Sequence, residues 1–206
     1  MKRVSAILLG AGESKRMGVN KLTLPWGKET VLGRCLETLL KSRVQEVVVV
    51  LSPRKVKSVD FMICPRMKVV LNPHFKRGMS TSIQKGLKAI NPKSEGILIA
   101  LGDQPFLKPR TVNALINAYA RGKGRIIIPS YKGQKGHPVL FDRVYRRELL
   151  KLRGDVGGRS VIERHAKEVT EVRTRSESVV KDLDIWKDYE GEWKGAGGKS
   201  RKARRP

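Results

Sequence analysis

Acidic residues are scarce in this chain: 19 Asp and Glu stand against 44 Lys and Arg, a net charge of +25. Such an imbalance creates a field that attracts polyanions, among them nucleotides, phosphorylated cofactors and nucleic acid. Part of the excess is local. Residues 191–206 carry six basic residues and one acidic, which leaves +20 on residues 1–190. Aromatic residues are also few, at 5%, which argues against a nucleic-acid binder built on base-stacking platforms. The two cysteines, Cys35 and Cys64, are far apart and in no metal-ligand spacing; they read as reduced, buried thiols of a cytoplasmic protein. No apolar run approaches the roughly 20 residues that span a bilayer, so no membrane segment is expected. The apolar run behind Met1-Lys2-Arg3 stops at Gly10, short of the roughly 7–15 residues of a secretory leader core, and reads as a first β-strand.

What is present is an alternation of two periodicities. Ala6–Leu9, Val47–Leu51, Lys68–Leu71, Gly96–Leu101, Ile126–Ile128 and Val139–Phe141 are short apolar, β-branched runs that read as strands. Between them, Leu32, Cys35, Leu36, Leu39 and Leu40 follow the spacing of one helix face, as do Ile83, Leu87 and Ile90, with Ser80 or Thr81 as cap. Pro109 suits the first turn of a third helix carrying Val112, Leu115, Ile116 and Tyr119. Strand–helix alternation predicts an α/β fold: three layers, a mainly parallel sheet with helices on both faces. A single domain over residues 1–190 is expected, followed by a disordered basic tail over 191–206.

The first strand breaks into Gly10-Ala11-Gly12-Glu13-Ser14-Lys15-Arg16-Met17-Gly18 and continues to Lys21. Small residues let backbone N–H groups approach an anion, and Lys15, Arg16 and Lys21 bring positive charge. The register excludes two familiar loops. A dinucleotide fingerprint needs glycine where Lys15 stands, and a P-loop needs Gly-Lys-Ser/Thr where Gly18-Val19 stands. Downstream, Asp103 follows a buried strand, where open α/β sheets bind ligands and where a carboxylate can hold Mg²⁺ against a triphosphate. It can equally cap the next helix or shape a turn. Asp182 and Asp184 alternate, so an extended segment would turn both toward one cation, or they form a helix cap or a solvated acidic patch.

These motifs together resemble the MobA/MocA-like nucleotidyltransferase superfamily, closest to its molybdenum cofactor cytidylyltransferase branch. The resemblance rests on Leu9-Gly10-Ala11-Gly12-Glu13-Ser14-Lys15-Arg16-Met17-Gly18-Val19-Asn20-Lys21, then Asn72 to Ser82, Gly102-Asp103-Gln104-Pro105, Gly136-His137-Pro138, Gly154-Asp155-Val156-Gly157-Gly158-Arg159, and Asp182-Leu183-Asp184 with Asp188. Three departures stand out. Gly10 replaces the family's Ala, Phe75 its Trp, and Ile185-Trp186-Lys187 its Thr-Pro-Glu. The resemblance implies a Rossmann-like nucleotidyltransferase fold and a Mg²⁺-dependent enzyme. Such an enzyme transfers a nucleotide from CTP, or from GTP, to a molybdopterin-type acceptor. It assigns nucleotide binding to Leu9, Gly10, Ala11, Gly12, Ser14, Lys21, Ser82 and Asp103, and catalysis to Arg16, Lys21 and Asp103. Acceptor contacts fall to His137 and Arg159, and metal ligation to Asp103 and Asp184. A molybdoenzyme or chaperone partner is a further implication. Ser82 also fits a helix cap, and His137 a structural role. Two rival functions remain in view: a nucleic-acid binder using the basic surface and tail, and a catalytically idle cofactor chaperone.

Overall fold

The computed structural model describes residues 2–14, 17–56, 64–184, 186, 188 and 189. Arg16, expected in catalysis, and the basic segment 191–206 lie outside the described residues. In chain order the elements are β1 (Val4–Leu9), β2 (Pro25–Trp26), β3 (Glu29–Thr30), α1 (Val31–Leu40), β4 (Glu46–Leu51), α2 (Pro53–Val56), β5 (Met67–Leu71), α3 (Met79–Ala89), β6 (Gly96–Leu101), α4 (Pro109–Ala120), β7 (Ile126–Tyr131), β8 (Gln134–Lys135), β9 (Val139–Asp142), α5 (Arg146–Leu150), α6 (Arg159–Arg164) and β10 (Val169–Arg173).

The main sheet runs β10-β7-β9-β6-β1-β4-β5, with β8 attached to β7. β5, β4, β1 and β6 are parallel neighbours, as are β7 and β10, while β9 runs antiparallel between β6 and β7. The mainly parallel three-layer sheet expected from the alternation is therefore present. Period-two side-chain alternation splits the core cleanly. Ala6, Leu8, Val47 and Val49 pack under α1 and α4 through Leu32, Leu36, Leu39, Val112, Leu115 and Ile116. Ile7, Leu9, Val48 and Val50 face the other way, under Ile83 and Leu87 of α3, Leu149 of α5 and Val161 of α6. Strands buried on both faces are continuous apolar runs for this reason.

The α3 cap differs from the expectation. Gly78, not Ser80 or Thr81, precedes the first helical turn. The orphan N–H groups of Met79 and Ser80 donate to the Asp155 carboxylate (2.9 Å) and the Gly154 carbonyl (3.2 Å). A loop 76 residues downstream thus does what a local hydroxyl was expected to do. Gly78 holds φ 103° and admits no side chain there, because a Cβ would meet the Gly154 carbonyl carbon at 2.4 Å.

Cys35 is buried, and its thiol donates to the Gly102 carbonyl; burial first, and Asp103 next, push its pKa up, so it stays protonated. Cys64 is only half-buried. Among the described residues, no helix is long and apolar enough to cross a membrane.

Candidate active site

The carboxyl ends of β1, β4 and β6 open together. Gly10 N–H donates to the Val50 carbonyl (2.8 Å) and Gly102 N–H to the Leu9 carbonyl (2.9 Å), which ties the glycine loop and the Asp103 turn to one sheet edge. Beside them lies a cavity of about 400 Å³, lined by Leu9, Gly10, Gly12, Ser14, Lys21, Ser82, Asp103 and Asp184, with Glu13, Lys55, Phe75, Asp155 and Asp182 among its other walls. Ala11 does not line it. It is a buried residue of the loop. Ser14 adopts φ 55°, and its hydroxyl accepts the Lys21 N–H at 3.4 Å, so the loop folds back toward the lysine.

Lys21 stands at the centre of the charge arrangement. Its Nζ lies 2.6 Å from Asp103 Oδ2 and 3.2 Å from Asp184 Oδ1, and it donates to the Leu183 carbonyl at 2.8 Å. Burial opposes its charge, but Asp103 and Asp184 outweigh burial and hold its pKa above the ordinary lysine value. Asp103 therefore faces the cavity through an ion pair. The α4 helix has Lys108 at its N-cap instead, with no side-chain cap.

The late aspartates divide their work. Leu183 N–H donates to the Asp103 carbonyl (3.0 Å), which lays the segment across the Asp103 turn. Asp184 then reaches Lys21, whereas Asp182 Oδ1 accepts from Gln104 Nε2 at 2.6 Å. Burial raises the Asp182 pKa, with Asp103 and Asp184 adding to the rise and Gln104 opposing it. Asp188 accepts the Asp184 N–H (3.1 Å) and so fixes the backbone that carries the metal candidate. Where the resembled family has Thr-Pro-Glu, Trp186 donates its indole N–H to the Met17 carbonyl (3.1 Å), and Tyr189 donates to the Pro25 carbonyl (2.7 Å). Leu183 and Tyr189 pack with Met17 and Val31. This docking is what carries Asp184 to a lysine 163 positions earlier.

Ser82 accepts a hydrogen bond from Asn72 Nδ2 (2.9 Å) on the first turns of α3. A second cavity, of about 510 Å³, adjoins through shared walls at Met79, Leu101 and Asp155. Its floor is apolar, from Ile83, Ile99, Ile128, Val139, Phe141 and Ile162; its rim carries His137, Lys135, Arg159, Asp155 and Glu163. Burial lowers the His137 pKa, Asp103 opposing, so the ring is neutral near pH 7. Arg159 is exposed on α6 and paired with Glu163 at 2.7 Å. Gly136, between β8 and β9, lies so close to Val179 that a Cβ would sit 2.0 Å from the Val179 carbonyl oxygen.

Lys55 escaped the sequence reading. It sits on α2, is only 8% exposed, and its ammonium donates to the Gly12 carbonyl beneath the loop. Burial, then the Lys21 charge, bring its pKa down to about 8, against Asp103 and Glu13. Nothing in the local pattern Ser52-Pro53-Arg54-Lys55 distinguishes it among 44 basic residues.

Residues 6–169 match the MobA-like NTP transferase domain. The chain is 30% identical to nicotine blue oxidoreductase of Paenarthrobacter nicotinovorans, over 88% of this chain and 92% of that protein. It is 24% identical to the molybdenum cofactor cytidylyltransferase of Escherichia coli (69% and 72%) and 34% identical to a probable molybdenum cofactor guanylyltransferase of Natranaerobius thermophilus (63% and 62%). A crystal structure of Rv0371c from Mycobacterium tuberculosis in complex with manganese superposes with a TM-score of 0.75 at 26% identity, covering 92% of this chain and 97% of that one. A glycine loop, a lysine held between two carboxylates, and a matching domain over most of the body thus point the same way: the chain belongs to the MobA-like NTP transferase family.

Proposed function

We propose that this protein transfers CMP from CTP to the terminal phosphate of a molybdopterin-type acceptor, releasing pyrophosphate. The observation that carries the reading is the join between two unlike cavities. One is walled by a glycine loop and Lys21; the other has an apolar floor and a charged rim. Met79, Leu101 and Asp155 belong to both, so a bond formed at the junction links a nucleotide to a second molecule.

An acceptor phosphate oxygen attacks the α-phosphorus, and the bond from that phosphorus to the pyrophosphate oxygen breaks. The acceptor oxygen is already ionised, so no side-chain base is needed. The protein's part is alignment and charge. Lys21, kept protonated by its carboxylate partners, stabilises charge growing on the phosphates. Gly12 and Ser14 bring backbone close to them, Ser82 contacts the base or ribose, and His137 and Arg159 hold the acceptor. Asp103 and Asp184 fit a divalent cation, because their oxygens converge on one cationic point at Lys21 Nζ. Among the described residues no cluster of three or more His, Cys, Asp or Glu forms a metal cage. Two carboxylates completed by substrate phosphates are the arrangement Mg²⁺ favours. Magnesium, when bound, neutralises phosphate oxygens. The manganese-bound neighbour supports a divalent cation here.

The relative named an oxidoreductase suggests redox chemistry, but Lys15 occupies the glycine position that a dinucleotide fingerprint requires. Pyrophosphate release measured with CTP, GTP and ATP, each with and without molybdopterin, tests the proposal. Acceptor-dependent release from CTP alone is expected. Equal turnover of GTP overturns the choice of donor, and release independent of molybdopterin overturns the acceptor.

A further inference from the structure

We propose that Lys55, which donates to the Gly12 carbonyl, is a second triphosphate-binding lysine that moves to phosphate oxygens when nucleotide binds, taking up a proton as it does so. The inference rests on reading the first cavity as the nucleotide site.

Geometry carries it. Lys55 reaches the glycine loop and lines the same cavity as Lys21, yet its hydrogen bond goes to a backbone carbonyl rather than a carboxylate. Lys21 has its two carboxylates; Lys55 has a dipole. An ammonium that is nine-tenths buried on a carbonyl is poorly compensated, and an entering polyanion offers it a far better partner. Among the described residues, the charged groups that share its cavity are Lys21, Glu13 on the loop, Asp103 on the β6 turn, and Asp155, Asp182 and Asp184. Burial and Lys21 lower its pKa to about 8, Asp103 and Glu13 only partly opposing, so free Lys55 titrates near that pH. Lys21, held above the ordinary lysine value, stays protonated through the same range. A bound triphosphate restores the Lys55 charge. The proton comes from solvent, and no covalent bond changes.

Calorimetry in buffers of different ionisation enthalpy counts the protons. MgCTP, MgGTP and magnesium tripolyphosphate serve as ligands between pH 7 and 9, where phosphate protons are largely gone by pH 8. With a free pKa near 8, uptake by the wild type rises from about 0.1 proton at pH 7 to about 0.9 at pH 9, and affinity falls about fivefold from pH 8 to 9. Lys55→Met is expected to bind about tenfold or more weakly at pH 7, with no uptake and a flat pH profile. Lys55→Arg, always charged, keeps most of the affinity and also shows no uptake; it carries the test should Lys55→Met not fold, as judged by circular dichroism. Binding by the wild type without proton uptake overturns the proposal, as does uptake that persists in either variant. Lys55-dependent uptake with tripolyphosphate while CTP and GTP both fail to bind upholds it and overturns the nucleotide reading instead.

Discussion

Among the described residues, Asp103 and Asp184 share the Lys21 ammonium, and Lys21→Met removes it. The Lys21 and Asp103 side chains are 13% and 23% exposed, so this pair lies between a surface bridge and a buried one; Asp184, at 44%, is better screened. Surface pairs are worth about 0–1 kcal/mol, and breaking a buried pair costs about 3–5 kcal/mol because one charge is left uncompensated. We therefore expect a loss of about 2–3 kcal/mol, nearly all from the Asp103 contact. In a protein of this size that lowers the melting temperature by about 5–10 °C. Added Mg²⁺ should raise the melting temperature of the variant more than that of the wild type, since the cation then relieves two facing carboxylates. Activity should fall further than stability. Removing a charged donor from developing phosphate charge costs about a hundredfold or more in kcat/KM. Differential scanning calorimetry with and without Mg²⁺, beside pyrophosphate release from CTP, measures both. A melting temperature within about 1 °C of wild type and kcat/KM within about threefold would refute the central place given to Lys21.

Three further outcomes are expected. His137 has a folded-state pKa below its unfolded one, so the unfolded chain takes protons first and stability falls as the pH drops below about 6.5; His137→Gln should flatten that slope in denaturant melts at pH 7 and pH 5.5. Gly136→Ala drives a methyl into the Val179 carbonyl, at a cost of about 2 kcal/mol or more by urea unfolding, and should lower nucleotide turnover by displacing the segment that leads to Asp184. Asp184→Asn should raise the Mg²⁺ concentration needed for half-maximal activity well above that of Asp182→Asn, because Asp182 is engaged by Gln104; equal shifts in the two variants would contradict the division of roles.

The expected helix faces, the buried strands and the glycine loop appear where the sequence places them, because apolar period and the absence of side chains are local properties. The cap of α3 was not legible. Its donors are satisfied by Asp155 and Gly154, and no local pattern reports a partner 76 residues away. The pairing of Arg159 with Glu163 follows a helical spacing of four and was within reach.

Sequence by itself determined that the chain is an α/β protein with a loop that is neither a P-loop nor a dinucleotide fingerprint, and that Asp103 ends a buried strand. Tertiary structure alone decided which charges meet. Asp184, not Asp182, lies on Lys21 because Leu183, Trp186 and Tyr189 dock the late segment across the loop. Lys55 has a pKa near 8 because it is buried beside Lys21, and burial is a property of the fold, which a string containing 44 basic residues does not display.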